Sequence, residues 1–333
     1  MIDPRNCRPP RLMLAQLPTP LVPLDRLSAS LGGPRIWIKR DDLTGCALSG
    51  NKIRKLEYSL AQALEEGCDT VITCGGLQSN HCRATALLCA QLGLSCHLLL
   101  RGKPSGEADG NLLLDQLAGA SISYFEPREF QQNLPQLLAD CQDDYQRRGH
   151  RAFVIPTGAS DAIGVWGYFS AAGELADDCQ RVGIQPQHIV CATGSGGTQA
   201  GLTAGAASFL PSTQVWGVNV CDDEAWFLNK VGRDLHDWRE RYQLDVDVPS
   251  LSVRVIDGYV GPGYAIAEAP IFDCIAELAR REGLVLDPVY TGKAFFGMLE
   301  ELKAGRFGDS GDIVFVHTGG IFGVFPQRSG FAK

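Results

Sequence analysis

Short apolar runs alternate with helical patterns along most of this chain, and that alternation limits its fold more than any other feature. Residues 35–39, 70–74, 96–100, 121–125, 152–155 and 188–191 read as strands. Between them lie helical stretches. The first carries Ile53, Leu56, Leu60, Ala63 and Leu64 on one stripe, and the second runs to Leu92, where Gly93 stops it. A third follows the polar loop 101–109, a fourth is expected near 135–147, and a long one starts from Asp161. Repeated β-α units imply parallel strands covered by helices on both faces. The prolines at 18, 20 and 23 keep the lead-in extended.

At 333 residues and 45% hydrophobic content the chain can bury a large core, and its length favours two domains. Loop-rich stretches at 45–52 and 156–160 supply the junctions. The expected architecture is therefore α/β, with two parallel-sheet, three-layer domains. Residues 52–158 form a small inserted unit, residues 1–51 and 159–333 form the larger one, and the cleft between them is the ligand site.

A formal charge of −8 and a pI near 5.3 argue against a nucleic-acid or anionic-membrane surface. The first residues lack the apolar core of a signal peptide, and no run of about 18 apolar residues suggests a membrane span. A cytoplasmic location is expected. Twelve cysteines form no Cys-x-x-Cys pair, so buried free thiols are expected, with neither disulfides nor a metal.

Chemistry enters at residues 48–58. A helix begins near Asn51, a good N-cap, and Gly50 permits a sharp entry. Its first turn carries Lys52, Arg54 and Lys55, the reverse of what the helix dipole favours, which suggests a nearby anion or else a solvated basic turn. The second signal is Thr193, Gly194, Ser195, Gly196, Gly197 and Thr198, between a strand and the apolar helix 200–209. Such a turn forms a nest of N–H groups suited to phosphate, or simply a tight packing turn. It has neither the Walker A ending nor the G-x-G-x-x-G spacing. A lysine opposite a phosphate nest is what an aldehyde-bearing phosphate cofactor needs, and pyridoxal 5'-phosphate is the one suggested. Gln78, Ser79, Asn80 and His81, at another helix N-terminus, supply polar groups for its ring, although a serine there is commonly an N-cap.

The segments 48–58, 75–86, 193–201 and 286–293, in that order, resemble the D-cysteine desulfhydrase and 1-aminocyclopropane-1-carboxylate deaminase family. This family has fold type II of the pyridoxal-phosphate enzymes, the tryptophan synthase β-like fold, with its cofactor in the interdomain cleft. The resemblance spans about residues 18–320. It implies that Lys52 is the Schiff-base lysine, that Asn80 meets the ring hydroxyl, and that Lys55 and residues 193–198 hold the phosphate. Ser79 matches a serine proposed as nucleophile or substrate-positioning group, and with Gln78 and His81 it would face the substrate carboxylate. Tyr264 and Tyr290 match two tyrosines that approach the substrate side chain. Thr291 stands where the cyclopropane deaminases carry a glutamate beside the pyridine nitrogen, and Thr318 either approaches that nitrogen or caps a helix.

A neutral Thr291 supports a weaker electron sink, which favours expelling a β-substituent over opening a cyclopropane. The expected activity is elimination from D-cysteine to pyruvate, ammonia and hydrogen sulfide. The alternatives are cyclopropane deamination, lysis of cysteate or β-chloroalanine, and a non-catalytic protein that binds an amino acid or phosphorylated ligand. Ser49 departs from the Gly-Gly-Asn-Lys form common in bacterial members. Arg54 receives no role and is expected to be solvated. The resemblance also implies a homodimer.

Overall fold

The structure is a computed structural model describing residues 1–332. The chain opens with β1 (Leu21–Pro23), α1 (Asp25–Leu31), β2 (Arg35–Lys39) and α2 (Lys52–Glu65). It continues through β3 (Thr70–Gly76), α3 (Asn80–Leu92), β4 (Ser95–Arg101), α4 (Gly110–Leu117), β5 (Ser121–Phe125), α5 (Pro127–Arg147) and β6 (Ala152–Val154). Next come α6 (Val165–Val182), β7 (His188–Thr193), α7 (Gly197–Phe209), β8 (Gln214–Asn219), α8 (Glu224–Tyr242) and β9 (Arg254–Ile256). The last elements are α9 (Ala269–Glu282), α10 (Thr291–Lys303) and β10 (Asp312–Val316).

These strands form two sheets. One is four-stranded and wholly parallel, in the order β5-β4-β3-β6. The other is six-stranded, in the order β1-β2-β10-β7-β8-β9, and is parallel except for its edge strand β1. The period of two along each strand divides the larger sheet's core into two layers. Ile36, Ile38, Val190, Ile313 and Phe315 pack on one face, against α9 and α10. Trp37, Ile189, Cys191, Val314 and Val316 pack on the other, against α6 and α7. The smaller sheet follows the same rule, with Val71, Leu98 and Leu100 under α2, α3 and α4, and Ile72, Cys74 and Leu99 under α5.

Helix α1 is additional to the sequence expectation, the long helix α6 starts at Val165 rather than Asp161, and two further elements differ. The fourth helix starts at Pro127 rather than near Pro135, which lies inside it. Proline is well placed at a first helical position, where no N–H is needed, whereas Pro135 costs an internal hydrogen bond that the rest of the helix tolerates. Helix α2, read as amphipathic with one core-facing stripe, is buried almost all round. Ile53, Leu56 and Leu60 join the smaller sheet's core, while Tyr58 joins Trp166 and Phe169 of α6. Gly167 permits that approach, because a Cβ there would lie 2.6 Å from the Arg54 carbonyl oxygen. The twelve cysteines are all free thiols. No helix among the described residues is long and apolar enough to cross a membrane.

Candidate active site

The parallel strands of both sheets end at one cavity of about 260 Å³. Its walls come from the residues that follow β3, β7, β8 and β10, from the last residue of β4, and from the start of α2. Open α/β sheets place ligands at such carboxyl ends because loops and helix N-termini converge there.

The start of α2 is fixed by its neighbours. Gly50 holds φ +112°, and a Cβ there would press to 2.7 Å from the Thr318 carbonyl oxygen, so glycine is required. That same carbonyl accepts from the Asn51 N–H at 3.1 Å. Asn51 is not the side-chain cap expected of it; its backbone is already helical, and its amide donates to the Thr198 hydroxyl at 2.9 Å, tying α2 to the glycine-rich loop. Lys52 lines the cavity and, among the described residues, makes no hydrogen bond or ion pair. Burial pushes its amine down to about 8; the Asp287 charge opposes that shift and Arg83 adds to it. At pH 7 about a tenth of such an amine is neutral, far more than for an ordinary lysine, and the neutral form is the one that attacks.

Arg54 corrects the expectation of a solvated cation. It is 1% exposed and donates to both Asp41 oxygens, at 2.8 and 2.9 Å, and to both Glu174 oxygens at 2.9 Å. Lys39 extends the cluster to Glu174 and Asp178 at 2.6 and 2.5 Å. Lys55 likewise does not line the cavity. Its amine reaches the Ser160 hydroxyl at 3.2 Å, and that hydroxyl lies 2.7 Å from the Ser195 hydroxyl and accepts from the Gly197 N–H. Lys55 thus braces the loop from behind, through a serine to which the sequence reading gave no role. Burial, with Lys52 nearby, holds its amine well below the ordinary range.

The loop has the features of an anion cradle. Gly194, Ser195, Gly196 and Thr198 line the cavity, Gly196 holds φ +88°, and the Thr193 hydroxyl is buried without a partner. Gly197 faces Ser160, where a Cβ would lie 2.9 Å from that residue's backbone. Across the cavity, Ser79 caps α3 by accepting from the Cys82 N–H at 3.1 Å, and its side chain also reaches the cavity wall. The Asn80 side-chain oxygen Oδ1 is buried and unpaired.

His81 lines the cavity, but its ring is ill suited to hold a carboxylate. The Thr73 hydroxyl donates to the Ile155 carbonyl, so at 2.7 Å it accepts from His81 Nε2, leaving Nδ1 as a bare, unpartnered lone pair. Burial keeps the ring neutral, with Lys52 and Lys55 adding to the effect. Gln78 does not line the cavity at all. Its amide joins the Asp109 carbonyl and the Asn111 N–H at 2.9 and 2.8 Å, fastening the start of α4.

Tyr264 and Tyr290 both line the cavity, with hydroxyls 2.5 Å apart, and burial raises both phenols so that they stay protonated at neutral pH. Thr291 is fully buried and absent from the cavity wall. Its hydroxyl donates to Asp287 at 2.7 Å and accepts from the Asp287 N–H at 2.8 Å, so it has no donor left for a ring nitrogen. Thr318 does line the cavity, and among the described residues its hydroxyl makes no hydrogen bond. The cavity also includes Arg101, Phe130, Gln131, Cys221 and Asp222, which sequence reasoning missed. Only the position of Arg101 at a strand's carboxyl end hinted at such a place.

An aldehyde-bearing phosphate cofactor fits these residues. The unpaired Thr193 hydroxyl and the glycine-rich loop await an anion, the unpaired Asn80 oxygen awaits a donor, and the Lys52 amine stands free beside them. Comparison with known proteins agrees. The family model described as "Pyridoxal-phosphate dependent enzyme" matches residues 12–319. A Thermotoga maritima protein provisionally named a 1-aminocyclopropane-1-carboxylate deaminase is 44% identical over 95% of this chain and 98% of its own. The D-cysteine desulfhydrase of Serratia proteamaculans is 40% identical over 96% of this chain and 97% of its own. A crystal structure described as an ACC deaminase homologue superposes with a TM-score of 0.88 at 35% identity, covering 97% of this chain and 96% of that one. The chain therefore belongs to the pyridoxal-phosphate dependent enzymes of fold type II, in the family that holds the D-cysteine desulfhydrases and 1-aminocyclopropane-1-carboxylate deaminases.

Proposed function

We propose that this enzyme catalyses α,β-elimination on a small β-substituted amino acid, with D-cysteine as substrate and pyruvate, ammonia and hydrogen sulfide as products. The observation that carries this reading is the cavity's charge. Among the described residues Asp222 is the one carboxylate in its wall, and its Oδ2 already accepts from the Cys221 thiol at 3.1 Å. The group available to a pyridine nitrogen is then the neutral Thr318 hydroxyl, which supports expulsion of a thiolate better than opening of an unactivated ring.

Bound pyridoxal phosphate would supply an aldehyde for the substrate amine and a ring to take up the charge left at the α-carbon. It would lie between Thr193–Thr198, Asn80, Thr318 and Lys52. The remaining work belongs to the chain. The Lys52 amine at the cavity wall accepts the α-proton, and an amine held near 8 is matched to that task. The first turn of α3 presents backbone N–H groups beside Ser79 to the substrate carboxylate. The Tyr264–Tyr290 pair has two protons and one mutual bond, so one O–H is left to donate to the departing sulfur.

The test is product release from D-cysteine, L-cysteine, β-chloro-D-alanine and 1-aminocyclopropane-1-carboxylate. D-cysteine should give pyruvate and sulfide with a higher kcat/KM than ammonia release from the cyclopropane. Preference for the cyclopropane would overturn the reading.

A further inference from the structure

Lys293 ends the segment 286–293 but lies outside the cavity wall. It is the third residue of α10, a cation in a first turn where the helix dipole favours an anion. It is 1% exposed and, among the described residues, makes no ion pair. Its ammonium instead donates to the main-chain carbonyls of Val260 and Gly263, at 2.6 and 2.9 Å. Burying a charge against two neutral carbonyls is costly compared with burying an apolar side chain of similar length.

Those carbonyls belong to the loop 257–268, which joins β9 to α9 and carries Tyr264. The loop has little structure of its own. Among the described residues its one internal backbone bond runs from the Ile266 N–H to the Gly263 carbonyl at 3.3 Å. Ala265, next to Tyr264, holds φ +64°, a strained conformation that persists only where the surroundings impose it. At the start of the loop the Tyr259 hydroxyl donates to Glu301 at 2.8 Å. Beyond that point the Lys293 ammonium clamps the turn that leads into Tyr264.

The same helix start sets Tyr290. Asp287 accepts from the N–H groups of Val289, Tyr290 and Thr291 at 2.9, 2.9 and 2.8 Å, which fixes the turn entering α10. One turn of helix therefore holds Tyr290 through its own backbone and Tyr264 through the Lys293 side chain, and the two hydroxyls meet. We propose that Lys293 is a positioning residue for proton donation: by clamping the Val260 and Gly263 carbonyls it keeps Tyr264 against Tyr290, so that one O–H stays aimed at the departing β-substituent. Lys293 itself transfers no proton. The role rests on the elimination reading above.

The experiment compares wild-type holoenzyme with Lys293→Met, Lys293→Gln, Tyr264→Phe and the double variant of Lys293→Met with Tyr264→Phe. Methionine and glutamine have the same length, and only glutamine keeps N–H donors. Pyruvate release is measured with D-cysteine, whose sulfur takes up a proton as it leaves, and with β-chloro-D-alanine, whose chloride needs none. Lys293→Met should lower kcat on D-cysteine about 30-fold with KM little changed, and lower it less than about threefold on β-chloro-D-alanine. Lys293→Gln should fall between Lys293→Met and wild type, and it is read by the same criteria where Lys293→Met does not fold. The double variant should lose no more than Tyr264→Phe alone, because both changes remove the same donor. Equal losses on the two substrates, or losses that multiply in the double variant, would refute the assignment. If the wild type turns over neither substrate, the elimination reading itself fails, and crystal structures of the holoenzymes decide for Lys293. The Tyr264 and Tyr290 hydroxyls should then stand beyond hydrogen-bond distance in Lys293→Met, and an unmoved Tyr264 would count against the clamp.

Discussion

Lys52 and Arg54 stand two residues apart in the first turn of α2, about 200° around the helix, so they face opposite ways. Arg54 looks toward β2 and α6 and is fully matched by carboxylates that arrive from Asp41 and from Glu174, 120 residues away. Lys52 looks into the cavity with no partner among the described residues, as do the buried Thr193 hydroxyl and the Asn80 oxygen. A folded chain seldom leaves buried polar atoms unsatisfied unless something else satisfies them. The contrast separates two uses of a cation in one helical turn. The saturated side fixes where the helix lies, and the unsaturated side is reserved for ligand.

Replacing each cation by methionine should give opposite results if that division is right. Lys52→Met is expected to lower turnover by on the order of 10⁴-fold while leaving the urea unfolding midpoint unchanged or higher, because a desolvated, unpaired amine is removed. Arg54→Met should instead cost about 3–5 kcal/mol in urea unfolding, since Asp41 and Glu174 are left buried without their cation. A stability loss confined to Lys52→Met would break the comparison.

Next in size is Tyr290→Phe, which removes one proton from the tyrosine pair. A fall of about 100-fold in kcat is expected, with visible absorbance of the bound cofactor retained. Loss of the absorbance would mean that the pair holds the cofactor instead.

The smallest effect is in pH. Cofactor capture needs the neutral Lys52 amine, whose pKa is lowered from 10.5 to about 8. The neutral fraction therefore grows with rising pH until that value is passed. Uptake by cofactor-free protein, followed by absorbance, should quicken about tenfold per pH unit from about 6 to 8 and then level off. A rate still rising steeply at pH 9 would show an amine with its ordinary basicity.

The parts of this site written in consecutive residues are legible in the sequence. Strand, glycine turn and helix at 188–209, and the lysine after Gly50-Asn51, each carry their geometry locally. What could not be read depends on partners distant in sequence. Nothing within α2 says that Arg54 faces carboxylates from β2's neighbourhood and α6, or that the Asn51 amide prefers Thr198 to its own helix end. Gln78 and Thr291 lie inside informative motifs, yet their side chains are held by Asn111 and Asp287, one turn of geometry away from the cavity. Nor does its motif reveal that Lys55 stops at the Ser160 hydroxyl, behind the glycine-rich loop.

We infer that Lys52, and not its neighbour Lys55, is the free amine that joins the cofactor. Protein saturated with pyridoxal phosphate can be reduced with borohydride, digested and mapped by mass spectrometry. Phosphopyridoxyl label is expected on Lys52, with none on Lys55 and a bleached visible band. Label on Lys55, or protein that binds the cofactor without any reducible bond, would contradict it.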